Sequence, residues 1–192
     1  MFEAISGLSA AFGLSGSAGL NAYIPLLVVA LAARFPMSDP LVKLQAPYDL
    51  LSSWWAIGLI AVLLVVEIVA DKIPAVDSVN DGIQTFVRPA AGAILFAGSA
   101  NVITDIHPIL SLAAGLLLAG GVHATKAAAR PVVTVSTAGV GNPLVSTLED
   151  IVATVVSLLA VVLPIIADVL LLGFVLFIII IIRRWRRRKM VV

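Results

Sequence analysis

The alternation of long apolar runs and short polar connections predicts about six membrane-spanning helices. A helix needs ~20 apolar residues to cross ~30 Å of hydrocarbon, and several runs reach that length. The fifth run is shorter, so whether it crosses fully stays open. The predicted spans lie at about residues 4–33, 53–69, 82–100, 108–129, 148–163 and 167–182. The predicted fold class is therefore an all-α membrane protein.

Two places in this pattern predict irregular backbone. The first run is longer than one straight span requires and contains Gly13, Gly16 and Gly19, followed by Pro25. Such residues are tolerated in a span where neighbouring protein satisfies the freed backbone groups, which favours a broken first helix. A close-packing face of small residues is the alternative. Residues 132–143 are β-branched and glycine-rich, which favours an extended, re-entrant or irregular segment before the fifth span.

The apolar region from residue 148 to residue 182 is predicted to contain two helices. As one helix it would be ~50 Å long at 1.5 Å per residue, too long for a single span. Pro164 and Asp168 are the expected turn. A capping-box pattern from Ser146 to Glu149 is expected to open the fifth helix.

Two segments of the sequence match each other. Residues 8–22 and 110–124 share seven identities in fifteen positions without a gap. In a six-span topology these segments run in opposite directions, which predicts a three-plus-three inverted repeat with Asn21 and His123 as equivalent positions. The chain is then one transmembrane domain, 1–192, with a first half of about 1–101, a second half of about 102–182 and a basic tail at 183–192.

The composition agrees with a membrane protein. Of the 192 residues, 61% are apolar and 12% are charged, and the mean hydropathy is +1.14. Globular proteins have about a quarter charged residues, so this chain has too few to cover a soluble surface. The absence of cysteine excludes disulfides, thiolate metal sites and thiol nucleophiles.

Basic residues are concentrated near the C-terminus, where six of the twelve lie between Arg183 and Lys189. The positive-inside rule places such a cluster in the cytoplasm, where it also attracts anionic lipid. The other bases that six spans place inside are Lys72, Arg88, Lys126 and Arg130, against Arg34 and Lys43 outside. Both termini are therefore predicted in the cytoplasm, with the protein in the plasma (inner) membrane.

A charged stretch between the second and third spans is the main candidate site. It contains Glu67, Asp71, Asp77 and Asp81, followed by Arg88. Glu67 and Asp71 are four residues apart, as are Asp77 and Asp81, so each pair shares one face if the segment is helical. Arg88 lies inside a predicted span and needs an acidic partner, for which Glu67 or Glu149 is expected. A polar loop that faces headgroups and water is the alternative.

The fourth span carries a complementary basic face, because His123, Lys126 and Arg130 recur at spacings of three and four. These side chains either extend to anionic headgroups or meet the acidic stretch in a buried ion-pair network. His123 is also a candidate proton relay. The candidate substrate-binding or coupling residues are Asn21, Glu67, Asp71, Asp77, Asp81, Arg88, His123, Lys126, Asn142, Glu149 and Asp150.

Three passages together resemble a bacterial family of small membrane proteins known only as a domain of unknown function, number four-one-two-six. The passages are Gly19 to Leu27, then Glu67 with Ile73 to Asp77 and Asp81, and Thr137 to Pro143 with Glu149. The resemblance covers essentially the whole chain. It implies a shared fold and shared site positions, and no reaction.

The leading functional hypothesis is a small transporter or flippase-like permease for a small solute, ion or lipid headgroup. The alternative is a non-transporting membrane scaffold or assembly partner, and both a monomer and a homodimer stay open. An enzyme is disfavoured, because no Gly-x-Ser-x-Gly, phosphate-loop or His-x-x-x-His pattern is present. We predict no cofactor, no metal and no nucleic-acid partner.

Overall fold

Every regular element of the described chain is helical. The computed structural model describes residues 2–35, 42, 44, 46–72, 74–100 and 106–189, with side chains at all of these except 2–6, 74–75, 77–79, 100, 164–171 and 185–189. The helices are α1 (Phe2–Ala18), α2 (Tyr23–Arg34), α3 (Trp54–Ala70), α4 (Pro74–Ala100), α5 (Pro108–Thr137), α6 (Asn142–Val162) and α7 (Pro164–Lys189), with a short 3-10 helix at Tyr48–Ser52. The predicted all-α fold is confirmed.

The first apolar segment is broken at residues 19–22, between α1 and α2. Gly19 lies so close to Ala119 of α5 that a Cβ there would overlap the Ala119 carbonyl oxygen. The Asn21 side-chain oxygen accepts hydrogen bonds from the backbone N–H groups of Tyr23 and Ile24 at 3.0 and 3.1 Å, and this starts α2. The prediction of a broken first helix is confirmed.

Helices α1 and α5 run parallel to each other. The Ser15 hydroxyl donates to the Gly115 carbonyl oxygen at 3.0 Å, and the Lys126 ammonium donates to the Leu20 carbonyl oxygen at 3.2 Å. The residue numbers therefore rise together along the two helices.

Helix α4 returns between them in the opposite direction. Arg88 meets His123 of α5, whereas Gly92, further along α4, meets Gly115, earlier in α5. A Cβ on either glycine would overlap the facing backbone, so the two glycines allow α4 and α5 to pack in direct contact.

Helix α2 folds back along α3. The Arg34 guanidinium lies 5.2 Å from the centre of the Trp54 ring, and the Phe35 and Trp54 ring centres are 5.7 Å apart, so the end of α2 meets the start of α3. Asp71, which ends α3, lies 4.0 Å from Lys126, next to the start of α2. The two helices are therefore antiparallel.

Helix α6 is antiparallel to α1. The Ser17 and Ser157 hydroxyls are 2.8 Å apart, and the Asn21 amide donates to the Asp150 carboxylate at 3.0 Å. The α6 residues that contact α1 therefore have lower residue numbers towards the end of α1.

Helix α7 packs back on α6 after a break at Leu163. Phe174 of α7 packs against a hydrophobic cluster that contains Ala153 of α6. The two residues lie at nearly equal distances in sequence before and after Leu163, which connects the helices. This is the geometry of an antiparallel hairpin. The break before Pro164 is as predicted, whereas Asp168, also expected in the turn, lies inside α7. The described helices thus alternate in direction.

The inverted repeat predicted from residues 8–22 and 110–124 is wrong, because the two segments run parallel. The prediction treated the first apolar segment as one bent span, whereas its break turns α2 back as a separate helix. Because α2 adds one reversal of the chain direction, α1 and α5 point the same way. Helices α1 to α3 and α5 to α7 form two triplets of the same sense, joined by α4; we call them the N-terminal and C-terminal triplets.

The segment predicted as extended before the fifth span is mostly helical. Helix α5 continues through its β-branched residues to Thr137, and only residues 138–141 form a turn. Ala138 adopts a left-handed conformation with φ of 50° and ends the helix. Tertiary packing overrides the low helix propensity of β-branched residues here.

The starts of two further helices also differ from prediction, because tertiary packing extends both helices. Helix α4 begins at Pro74, so most of the expected acidic turn is helical. Helix α6 begins at Asn142, so Ser146 and Glu149 lie inside the helix and do not form its capping box. Both side chains are buried against other helices, which hydropathy alone does not reveal.

Two described helices, α5 and α6, are long and apolar enough to cross a bilayer, with 30 and 21 residues. Helices α2 and α3 are apolar but shorter. The alternation of directions puts the start of α1 and the end of α7 at opposite ends of the bundle. We call the end that contains Asp71, Lys126 and Glu149 the polar end.

Candidate functional site

Arg88 of α4 is completely enclosed, with 0% of its side chain exposed. Its Nη2 donates to Glu67 Oε1 of α3 at 3.0 Å. Its Nη1 lies 3.0 Å from His123 Nδ1 of α5 and 3.7 Å from Asp81 Oδ1. The expected pairing of Arg88 with Glu67 is confirmed. We call Glu67, Asp81, Gln84, Thr85, Arg88 and His123 the Arg88 cluster.

Hydrogen bonds assign the protonation of His123. A guanidinium has only donors, so His123 Nδ1 accepts from Arg88. The Thr85 hydroxyl donates to the Asp81 carbonyl oxygen at 2.9 Å and therefore accepts from His123 Nε2–H at 3.1 Å. The imidazole is thus neutral in this network. A second proton on Nδ1 would face Arg88, which opposes a proton-relay role for His123.

The Arg88 cluster leaves several buried polar atoms without a hydrogen bond within the described chain. They are Glu67 Oε2, Asp81 Oδ1, Gln84 Oε1 and Arg88 Nε. Most buried polar atoms in folded proteins are paired, so a concentration of unpaired ones marks a place where a polar group can bind.

A second cluster surrounds Lys126 of α5, which is 2% exposed. Its Nζ lies 2.9 Å from Glu149 Oε2 of α6 and 4.0 Å from Asp71 Oδ2 at the end of α3. Arg130 Nη2 lies 3.1 and 4.0 Å from the same two oxygens. The Ser146 hydroxyl donates to Asp71 Oδ2 at 3.2 Å. We call Asp71, Lys126, Arg130, Ser146 and Glu149 the Lys126 cluster.

The Lys126 cluster also holds the break between α1 and α2. In an unbroken helix the Ile24 N–H would bond the Leu20 carbonyl oxygen, but here it bonds the Asn21 side chain. The Leu20 carbonyl oxygen instead accepts a hydrogen bond from Lys126 Nζ at 3.2 Å. The ammonium therefore satisfies a backbone group that the break leaves free.

Helical spacing explains why these side chains meet. Residues three or four apart share a helix face. The sets are Glu67 and Asp71 on α3 and its end, Asp81, Gln84, Thr85 and Arg88 on α4, His123, Lys126 and Arg130 on α5, and Ser146, Glu149 and Asp150 on α6. The predicted basic face of α5 is confirmed, and it is buried against acids and does not extend to the surface.

Most of the predicted site residues converge in the two clusters, whereas Asn21, Asn142 and Asp150 lie outside them. Asn21 and Asp150 pair beside the Lys126 cluster at 3.0 Å. Asn142 is buried at the turn between α5 and α6, where it accepts a hydrogen bond from Thr134 at 3.1 Å. The Asp77 side chain lies outside the described residues.

Sequence reasoning missed Gln84, Thr85 and Ser146 as cluster members, and it named Arg130 only as part of the basic face. Gln84 lies between Asp81 and Arg88 at helical spacing, and this signal was available in the sequence. Ser146 was assigned to a helix cap because hydropathy placed the start of α6 too late.

No group of three or more His, Cys, Asp or Glu side chains that could hold a metal ion exists among the described residues. A cavity of about 450 Å³ between α1, α5 and α7 is lined mostly by apolar side chains such as Phe12, Leu117 and Leu172, and it lies apart from both clusters.

Comparison with known proteins gives one match. Residues 8–184 match the family described as Domain of unknown function (DUF4126). No curated protein and no solved structure matches the chain. The match covers most of the chain and agrees with the resemblance of the three sequence passages, and the protein therefore belongs to the DUF4126 family.

Proposed function

We propose that this protein is a multi-pass membrane permease that moves a small polar solute, ion or lipid headgroup past its two buried charged clusters. The observation that carries the proposal is the burial of three acids and three bases inside an apolar bundle: Glu67, Asp71, Glu149, Arg88, Lys126 and Arg130. Ionisable side chains are costly in a membrane interior and commonly mark a substrate or ion pathway.

The exposed face of α3 supports the membrane part of the proposal. The exposed side chains there include Leu59, Val62, Val65, Val66 and Val69, each between 55% and 61% exposed. The buried side chains of α3 include Glu67. An apolar outside and a charged inside is the reverse of a soluble helix and suits contact with lipid.

The two triplets support the transport part. Parallel repeats are one of the two repeat arrangements found in secondary transporters, which bind substrate where the repeats meet. The ion pairs of the Lys126 cluster join Asp71 of the N-terminal triplet to Lys126 and Arg130 of the C-terminal triplet. Changes in these contacts would accompany a relative movement of the triplets.

The proposed topology differs from the one predicted with six spans. If each helix crosses the membrane, the start of α1 and the end of α7 lie on opposite sides. The positive-inside rule then places the polar end, with Lys72, Arg183 and Arg184, in the cytoplasm and the start of α1 outside. In this topology anionic lipid would bind the tail at Arg183 to Lys189.

The cysteine-free chain allows a direct test of this topology. Ser136→Cys labels the last turn of α5, at the polar end, and Asp49→Cys labels the opposite end of the bundle. Both residues are exposed. In intact cells, a membrane-impermeant thiol reagent should label Asp49→Cys, and Ser136→Cys only after permeabilisation. Labelling of both variants in intact cells would contradict a spanning bundle.

Transport itself can be tested in proteoliposomes. We expect sodium, potassium or proton flux, or transbilayer movement of a fluorescent phosphatidylglycerol, to exceed that of protein-free liposomes. Glu67→Gln should lower that flux at least tenfold, whereas the exposed control Asp49→Asn should not change it. Background rates for all four probes, or a flux insensitive to Glu67→Gln in a folded protein, would overturn the proposal.

A membrane scaffold is the second candidate, and the charge balance of the Lys126 cluster favours it. Asp71 and Glu149 match Lys126 and Arg130, so the cluster can hold helices together with no ligand. In that case Arg88→Met combined with Glu67→Met should fold as well as the parent and retain the cellular phenotype of the parent, because only packing would matter.

A further inference from the structure

The unpaired atoms of the Arg88 cluster are mainly acceptors. Three are oxygens that make no hydrogen bond, Glu67 Oε2, Asp81 Oδ1 and Gln84 Oε1, and one is a donor, Arg88 Nε. Asp81 Oδ1 still lies 3.7 Å from Arg88 Nη1, and its side chain is 23% exposed. Glu67 and Gln84 are 1% and 2% exposed, so bulk water does not reach them freely. A ligand that satisfies this set must offer positive charge or several donors.

Two of these oxygens belong to carboxylates that contact the Arg88 guanidinium, and the third belongs to Gln84, which lies on the same face of α4 as Asp81 and Arg88. Asp81, Gln84 and Arg88 follow each other at spacings of three and four on one face of α4. Glu67 reaches Arg88 Nη2 at 3.0 Å from α3, and Asp81 lies 3.7 Å from Nη1. Arg88 thus holds one oxygen of Glu67, and the second carboxylate oxygen stays unpaired.

The charge of the Arg88 cluster is unbalanced. Two carboxylates, Glu67 and Asp81, face one guanidinium, and His123 is neutral in its hydrogen-bond network. When both carboxylates are ionised, one net negative charge remains. The Lys126 cluster, by contrast, has two acids and two bases.

We propose that the Arg88 cluster binds one small monovalent cation of the sodium class, held by Glu67 Oε2, Asp81 Oδ1 and Gln84 Oε1. Hard cations prefer oxygen ligands, including carboxylate and side-chain amide oxygens. A single positive charge neutralises the cluster. A divalent ion would leave an excess positive charge beside Arg88. This inference rests on the proposed function, because it names the ligand of the same site.

The test is cation-dependent stability of the full-length protein in detergent. The unfolding temperature is measured while sodium chloride replaces choline chloride at constant ionic strength, with lithium, potassium and magnesium chlorides as further arms. We expect a saturable rise with sodium that choline does not give, since a ligand that binds only the folded state stabilises it.

Two variants remove proposed cation-binding oxygens and leave the ion pair between Glu67 and Arg88 intact. Gln84→Met and Asp81→Asn should each raise the sodium concentration at half-effect at least tenfold. Asn142→Ala is the matched control, because it removes a buried amide outside the cluster and should leave the half-effect concentration unchanged.

Three results would overturn the cation site. They are equal unfolding temperatures in sodium and choline, an unchanged sodium response in both Gln84→Met and Asp81→Asn, and a response confined to magnesium. Sodium-dependent stability without any flux would keep the site and reject the permease. Flux without any cation response would keep the permease and reject the site.

Discussion

The Arg88 cluster and the Lys126 cluster lie one helical turn apart, yet they are built differently. Each takes one acid from the end of α3, Glu67 or Asp71, and basic or histidine side chains from one face of α5: His123 in the first, Lys126 and Arg130 in the second. The Lys126 cluster balances its charges, and Asp71 gains further hydrogen bonds from Asn80 and Ser146 at 2.8 and 3.2 Å. The Arg88 cluster has one negative charge in excess and several unpaired atoms.

This difference separates a structural role from a binding role. A charge-balanced buried ion-pair network can fix helix positions, whereas an excess of buried charge is costly and is retained where a ligand binds. We therefore expect the Lys126 cluster to determine how the triplets fit together and the Arg88 cluster to determine what binds.

The largest effect is expected from Arg88→Met. Removal of the guanidinium leaves Glu67 buried without its partner, which should lower the free energy of unfolding by about 3–5 kcal/mol. Denaturant titration in mixed detergent measures it. The double variant with Glu67→Met should recover most of the loss; a double variant as unstable as the single one would show that Arg88 acts through other contacts.

A smaller effect is expected from Lys126→Met. Glu149 keeps its 3.1 Å contact with Arg130, so the loss should be about 1–3 kcal/mol, mainly the hydrogen bonds of Lys126 to Glu149 and the Leu20 carbonyl. The same titration measures it, and the sodium response should persist. Loss of that response would mean that the two clusters are one site.

Ser146→Ala tests a single hydrogen bond within the Lys126 cluster. Asp71 retains its bond from Asn80, so the free energy of unfolding should fall by only about 1 kcal/mol. Ser136→Ala is the control, because Ser136 is exposed and bonds only its own helix at Val133. Equal effects for the two serines would contradict the assigned role of Ser146.

The smallest effect is expected from Lys72→Met. Lys72 is exposed, and its ammonium donates a long hydrogen bond of 3.4 Å to the Thr147 hydroxyl. Exposed contacts of this kind contribute less than about 0.5 kcal/mol. Denaturant titrations of Lys72→Met and Lys126→Met, run in parallel, compare the effect of a surface lysine on the free energy of unfolding with that of a buried lysine. An effect as large as that of Lys126→Met would remove the distinction between them.

Local spacing made much of the candidate site predictable. Residues 67 and 71, and residues 123, 126 and 130, share helix faces by periodicity alone, and the scarcity of charge predicted that they would pair. Gln84 was missed because an isolated amide carries no charge signal. Ser146 was missed because the start of α6 depends on contacts that hydropathy does not represent.

The sequence alone determined that the chain is helical and apolar, and it favoured a break within the first apolar run, because composition and the positions of glycine and proline act locally. Only the tertiary structure decided the direction of α2, since a four-residue break is compatible with either a bent span or a hairpin. That direction depends on contacts between residues distant in sequence, such as Lys126 with the Leu20 carbonyl oxygen and Asn21 with Asp150. It replaced an inverted repeat with two parallel triplets, and it placed the acids of α3 against the bases of α5.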